Sequence, residues 1–304
     1  MKRSEMIQCF TPGMSRDDIR KKSYSMGLGN IYQETEMDSA LVDSHQDISY
    51  LADYMEQHSH MFYEMIYCVQ GSLTYLLGVR RYQVGTGDII IIPPGIIHSP
   101  ILANPLEMPY ERYVIWISAA FANILNHANS VLADFQEAAV LHTAGTKWEY
   151  LSRYFCTGVK EAETQAPGWE VCLGGNTAQL VAHLARATHD SATVRPSQSE
   201  ELLEKVLEYI QDNLDGKLSV GATAQHFHVS ESTLTHLFQR ELKTGFYKCV
   251  TQRRLAEAKN LIHKGYSMEQ VSLAVGFSEY SAFYRAFKSE YGVSPMKYQK
   301  MARG

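Results

Sequence analysis

Two stretches of this chain repeat one pattern, 48 residues apart (Ser278 against Ser230). In the first, Ala224 is followed by Val229-Ser230 and then by Leu234 and Phe238. In the second, Ser272 is followed by Phe277-Ser278 and then by Phe283 and Phe287. Each copy reads as a short helix, a tight turn and a second helix with apolar residues four apart. A helix-turn-helix needs a small residue where its helices cross, and Ala224 and Ser272 supply it. The spacer, residues 246–263, reads as one helix of 18 residues. At 1.5 Å per residue that is about 27 Å, a strut of the right order to set two helices in successive DNA major grooves, roughly 34 Å apart.

The rest of the tail agrees. Residues 200–213, 219–227, 231–242, 268–275 and 279–290, and a last turn from Pro295, read as helices. Ser230, Ser267 and Ser278 stand where N-caps belong. Gly245, Gly265 and Gly292 stand where helices stop. With Leu234 and Phe238 turned inward, the second helix of the first unit presents Ser232, Thr235, His236 and Gln239. With Phe283 and Phe287 turned inward, its counterpart presents Tyr280, Ser281, Arg285 and Lys288. These side chains suit base edges and phosphates. Lys248, Arg253, Arg254 and Lys259 put charge on or near the strut. Residues 217–304 carry 13 Lys+Arg against 6 Asp+Glu, whereas residues 1–199 carry 14 against 21. A basic tail behind an acidic front expects a polyanion at the tail.

The tail resembles the AraC family of bacterial regulators over essentially all of residues 200–300. The residues that carry the likeness are Ser230-x3-Leu234-x3-Phe238, Gly245-Phe246, Arg254-Leu255-x2-Ala258, Val275-Gly276-Phe277, Phe283-x3-Phe287-Lys288 and Tyr291-Gly292-Val293-Ser294-Pro295. The resemblance implies that Ser232, Thr235 and His236 face bases in the first unit, and Ser281 and Arg285 in the second. Gly221 departs from the pattern in the first helix, where a glycine weakens a helix by about 1 kcal/mol against alanine.

The front half is rich in Tyr, Ile and Val between closely spaced turn residues, and predicts short antiparallel strands at 62–70, 72–77, 80–84, 88–92 and 112–118. Within it, His58-Ser59-His60-x3-Glu64-x6-Gly71 and Gly87-x5-Pro93-x-Gly95-x2-His98 resemble the two short motifs of the cupin barrel. Strand alternation then sends His58, His60 and Glu64 to one face. Inside a barrel, with His98, they form a three-histidine, one-carboxylate set suited to Mn, Fe, Ni or Zn. Two readings stay open: a divalent transition metal in the barrel, or side chains that hydrogen-bond an effector. Tyr75, Tyr82, Arg112 and Trp116 are further candidate lining residues for a small molecule, and aromatic faces beside histidines suit a sugar.

After the barrel, residues 146–187 turn helical, with Trp148, Leu151, Phe155 and Val159, and then Leu173, Leu180, Val181 and Leu184, at helical spacing. Such stripes pack on the barrel or against a second subunit. The fold class expected is α+β with two domains: a cupin-like sensing barrel at 1–145, a helical dimerisation segment at 146–190, a linker at 191–199 and an all-α DNA-binding domain with two helix-turn-helix units at 200–304. The five cysteines, Cys9, Cys68, Cys156, Cys172 and Cys249, form no C-x-x-C pair and are odd in number. That expects a reduced cytoplasm and no disulfide framework. Neither the first residues nor the apolar run at 89–97, broken by Pro93-Pro94-Gly95, reads as a signal peptide or membrane span. The function expected is a transcription regulator, with no catalytic residues, that responds to a small molecule. Its expected partners are double-stranded DNA, a second copy of the chain and, for an activator, RNA polymerase. The rival reading is a metal-dependent cupin enzyme fused to a DNA-binding domain.

Overall fold

The computed structural model describes residues 37–49, 57–101, 109–128, 130–190 and 201–303. The expected linker at 191–199 and Cys9 lie outside the described residues. The chain divides into two compact units, one of sheets and helices and one of helices alone; residues 57–59 group with the second.

The first unit contains eight strands: β1 (Val42–Ser49), β2 (Tyr63–Gln70), β3 (Ser72–Leu77), β4 (Arg80–Gly85), β5 (Asp88–Ile92), β6 (His98–Ile101), β7 (Tyr110–Ile117) and β8 (Ala139–His142). They form a five-stranded sheet, β1-β7-β2-β5-β8, and a three-stranded sheet, β4-β3-β6. All the ladders are antiparallel. The expected barrel is therefore corrected to a cupin-like pair of sheets: among the described residues no ladder joins them. The chain changes sheet at Gly71, between β2 and β3. Its φ is +122°, and a Cβ there would sit 3.3 Å from the Tyr110 backbone, so glycine is required.

Alternation assigns the two faces of the larger sheet. Ile66 and Cys68 of β2, Ile90 and Ile92 of β5, and Val114 and Trp116 of β7 share one core cluster with Tyr75 and Leu77 of β3 and Tyr82 and Val84 of β4. The intervening residues, Met65, Ile89, Ile91, Ile115 and Ile117, point the other way. They meet Phe121 on α1 (Ala119–Ala128), Phe155 on α2 (Ser152–Thr164), and Leu173, Leu180, Val181 and Leu184 on α3 (Trp169–Asp190). Both faces of β5 are thus covered, which explains its unbroken run of four isoleucines. The apolar stripes of α2 and α3 are used within the chain.

The second unit holds α4 (Glu201–Asp212), α5 (Val220–His226), α6 (Glu231–Leu242), α7 (Phe246–His263), α8 (Met268–Ala274), α9 (Tyr280–Tyr291) and α10 (Pro295–Arg303). The α5–α6 and α8–α9 pairs are the two helix-turn-helix units. Ser219, Ser230 and Ser267 cap their helices by accepting from Ala222, Thr233 and Gln270 backbone N–H groups. Two boundary expectations are corrected. Glu279, not Ser278, is the N-cap of α9. Lys243, at φ +51°, ends α6, and Gly245 instead begins α7. At Gly221 a Cβ would come within 2.8 Å of Glu231 Oε1, the far end of an exposed side chain that can move aside.

The strut α7 is buried along most of its length. Leu255, Ala258 and Ile262 join Val271, Val275, Phe283, Phe287 and Tyr291 in the core of the second helix-turn-helix. Phe246 meets Phe238 of the first, ring centroids 5.3 Å apart. One rigid rod therefore contributes to both cores. Its charges are largely not at the surface. Arg253 is buried and donates to Gln211 Oε1 at 3.3 Å. Lys259 is buried with its ammonium 4.7 Å from the Tyr291 ring centre. Arg254 Nε donates to the Leu214 carbonyl at 2.9 Å and Nη2 to that of Gly216 at 2.6 Å. Of the four, Lys248 is the one whose residue is exposed.

Candidate functional site

On α6, Leu234 and Phe238 are fully buried, while Ser232, Thr235, His236 and Gln239 are exposed on the opposite face. On α9, Phe283 and Phe287 are buried, and Ser281, Arg285 and Lys288 are exposed. Tyr280 is half-buried, its ring 5.9 Å from that of Phe283. Several hydroxyls are held within their own helix. Thr235 Oγ1 donates to the Glu231 carbonyl at 2.8 Å, Ser232 Oγ pairs with Ser230 Oγ at 2.8 Å, and Ser281 Oγ donates to Glu279 Oε2 at 3.2 Å. The longer side chains His236, Gln239, Arg285 and Lys288 reach farthest from the helix axis. Sequence reasoning missed two exposed neighbours, Arg240 and Tyr284. Their signal was available: each lies three or four residues from a residue already placed on the free face. Helical spacing with one apolar face and one polar face is the form that enters a major groove.

The second constellation lies in the sheet unit. His60, Glu64 and His98 each offer a ligand atom, all within 4.8 Å of one another. Glu64 Oε2 is 3.3 Å from His60 Nε2 and 3.2 Å from His98 Nε2. Its other oxygen, Oε1, accepts from Trp116 Nε1 at 2.8 Å. The Nδ1 atoms of His60 and His98 each lie 2.9 Å from a backbone carbonyl, of Phe62 and Ile96 respectively. Burial pushes the Glu64 carboxyl up, but its hydrogen bonds with the two imidazoles outweigh this and hold it well below the usual range. Burial pushes His60 down, despite Glu64. The structure thus brings together three of the four expected ligands. His58 is not among them: β2 begins only at Tyr63, so strand alternation does not extend back through residues 57–62.

Aromatic rings surround this cluster. His60 stacks on Phe62 with centroids 4.0 Å apart, and Phe62 lies 4.7 Å from Trp116. His45, on β1, also lies 4.7 Å from Trp116, edge to face. It escaped sequence reading because β1 itself did. Tyr75 and Tyr82 are buried in the same cluster of side chains. Arg112 lies over the Tyr110 ring at 4.9 Å and donates to Ser49 Oγ at 3.2 Å and Asp47 Oδ2 at 3.4 Å. The Tyr110 hydroxyl is buried and finds no hydrogen-bond partner among the described residues, and burial raises the phenols of Tyr75 and Tyr110. Aromatic faces, one carboxylate, one guanidinium and imidazoles are the ingredients of a site for a small polar molecule.

No helix among the described residues is long and apolar enough to cross a membrane. Family models match in two places: an AraC-like ligand-binding domain at residues 45–138, and a helix-turn-helix domain at residues 223–301. Among curated relatives, the uncharacterized HTH-type transcriptional regulator YfiF of Bacillus subtilis is 24% identical over 259 residues, covering 78% of this chain and 76% of the relative. The HTH-type transcriptional regulator YijO of Escherichia coli is 33% identical over 125 residues, covering 40% of this chain and 44% of the relative. The HTH-type transcriptional activator RhaR of Salmonella dublin is 22% identical over 265 residues, covering 83% and 90%.

Proposed function

The chain belongs to the AraC family of DNA-binding transcription regulators, and we propose that it reads two successive major grooves through α6 and α9 under the control of a small polar effector held between its sheets. One observation carries the reading: two helices on one strut each bury an apolar face and expose a polar one. Arg285 and Lys288 make the second unit a full contributor to affinity. Arg285 is the foremost base reader, since arginine to guanine is the commonest specific contact. His236 and Gln239 do the corresponding work in the first unit, with Ser232 and Thr235 nearer the helix start.

The effector reading is supported by the aromatic rings and charged groups around Glu64, Trp116 and Arg112, which suit a sugar or similar polyol. The protein acts as a regulator in the cytoplasm and not as an enzyme; its family models and relatives are those of regulators. The assembly is a homodimer through residues 146–190, where Val171 on α3 stands 79% exposed. As an activator it meets RNA polymerase. Effector binding biases an equilibrium between two states of the regulator, by as much as its affinities for them differ.

The test is a mobility-shift titration on operator DNA selected from a random-sequence pool, with and without candidate sugars. Selection of one sequence by the wild type, its loss in Arg285→Ala and His236→Ala, and a shift in affinity with one sugar would support the proposal. Selection of no sequence would overturn the DNA reading, and indifference to every polyol would overturn the effector class.

A further inference from the structure

The inner face of the larger sheet has two polar ends. On β7, Trp116 stands opposite Glu64 of β2, and Arg112 opposite Cys68. Four residues along one strand put these ends about 13 Å apart. At the first end Glu64 meets His60, His98 and Trp116. The second end is less completely bonded. The Tyr110 residue is 1% exposed, and its hydroxyl finds no partner among the described residues. A buried hydroxyl ordinarily has one. The Arg112 guanidinium, also buried, lies 4.9 Å from the Tyr110 ring centre. It is bonded, but loosely: Ser49 Oγ is 3.2 Å away and Asp47 Oδ2 3.4 Å. A close guanidinium–carboxylate bond is about 2.7–2.9 Å. Both partners stand directly across on the edge strand β1, Asp47 opposite Arg112 and Ser49 opposite Tyr110. The Asp47 side chain is 32% exposed, so water receives its charge when the guanidinium turns away.

An acceptor is what completes this end. The phenol O–H and the guanidinium N–H groups are donors. A planar carboxylate accepts from both, and matches the arginine fork. The charge to be balanced is single. Among the described residues of this unit the other buried guanidinium is Arg81. On β4 it alternates with Tyr82 and Val84, which face the cluster that holds Tyr75 and Trp116, and so points the other way. A doubly charged phosphate would be left half-balanced in a buried setting. The rings of Tyr75, Tyr82 and Trp116 suit the hydroxylated body of the same molecule. We propose that the effector is a sugar acid, a polyol with one carboxylate, which takes the Arg112 guanidinium from Asp47 and accepts a hydrogen bond from the Tyr110 hydroxyl. The inference rests on the effector reading given above and narrows it to one chemical class.

Calorimetric titration of the full chain with matched pairs tests it: gluconate against glucitol, galactonate against galactitol, glucuronate against glucose and galacturonate against galactose. One acid should bind at least about tenfold more tightly than its neutral counterpart. Tyr110→Phe should weaken that acid about tenfold. The same variant should melt no lower than the wild type, because the lost hydroxyl bonds nothing among the described residues. Asp47→Asn should tighten binding of the acid by roughly threefold, since the competitor for Arg112 loses its charge. A purely structural Asp47 would give no such gain. A neutral sugar that binds as tightly as its acid, or acid binding that both variants leave unchanged, overturns the inference and leaves the polyol reading standing. Binding of neither member of any pair overturns both. Should Asp47→Asn fail to fold, the comparison of acid with neutral sugar and the Tyr110→Phe titration decide.

Discussion

Gly276 offers a sharp test of how the second helix-turn-helix is held. It lies in the turn after α8 with φ +77°, and a Cβ there would stand 2.2 Å from the Leu214 carbonyl oxygen and 2.7 Å from Arg254 Nη2. Three elements meet at this point, because Arg254 of α7 donates to the carbonyls of Leu214 and Gly216, beyond α4. In Gly276→Ala the left-handed backbone alone costs about 1–2 kcal/mol. The carbonyl must also retreat by roughly 1 Å to reach ordinary contact, which breaks or stretches both Arg254 bonds. Hydrogen bonds to charged groups are worth about 1.5–3 kcal/mol each, but Arg254 is half-exposed, so roughly 1 kcal/mol for the pair is a fair discount. The sum is about 2–3 kcal/mol, enough to lower the melting of a unit of this size by on the order of 10 °C. Calorimetry of the full chain reads it as a shift of the helical unit's transition. The double variant Arg254→Met, Gly276→Ala should lose less than the sum of the single changes, because the clash with the guanidinium is shared. A helical-unit transition that moves by less than 2 °C (by this scaling, under roughly 0.5 kcal/mol) in Gly276→Ala would refute the three-way contact.

Three further outcomes are expected. Arg285→Ala should weaken operator binding by about 1–3 kcal/mol, relax preference at one base pair and flatten the salt dependence by about one unit of slope, in mobility-shift titrations at several salt concentrations. Among the described cysteines, exposed Cys156 and Cys172 should react with Ellman's reagent at neutral pH. Cys68, its thiol pushed up to about 12 chiefly by burial, and Cys249, raised by burial, should react only on unfolding. Burial, and then Lys259, lower the pKa of His263, whose Nε2 lies 3.1 Å from the Tyr298 hydroxyl. The unfolded chain then takes up the proton more readily, so the stability this group leaves intact above about pH 6.5 is lost as pH falls through that value. Urea unfolding of wild type and His263→Phe at pH 7.5 and 5.5 should show the larger acid loss in the wild type.

The strands that sequence reading missed share a cause. β1, β6 and β8 are all sheet edges. β1 reads VDSHQDIS, β6 is four residues with Pro100 among them, and β8 is four residues long. Edge strands are short, polar or interrupted, and so lack the alternation by which a strand is recognised. The central β2, β3 and β5 carried that signal and were legible to within a residue. In the tail, the repeat of Leu234/Phe238 in Phe283/Phe287 reported both recognition helices, because one buried face fixes the opposite one. Charge was less informative. Arg253, Arg254 and Lys259 looked like a basic surface, and their burial depends on Gln211, the Leu214 and Gly216 carbonyls and Tyr291, partners scattered along the chain. Of the expected ligand set, His60, Glu64 and His98, which the structure brings together, were legible through the likeness to the cupin motifs. His58 was not correctly placed, because alternation was carried past the start of β2, and His45 was hidden with its strand.

The central claim is that α6 and α9 enter successive major grooves of a specific DNA sequence. Hydroxyl-radical footprinting of the full chain on DNA selected from a random pool tests it most directly. Two protected segments about one helical turn apart (~10 base pairs) are expected, with Arg285→Ala erasing one and His236→Ala weakening the other. A single protected segment, or protection that both variants leave unchanged, would contradict it.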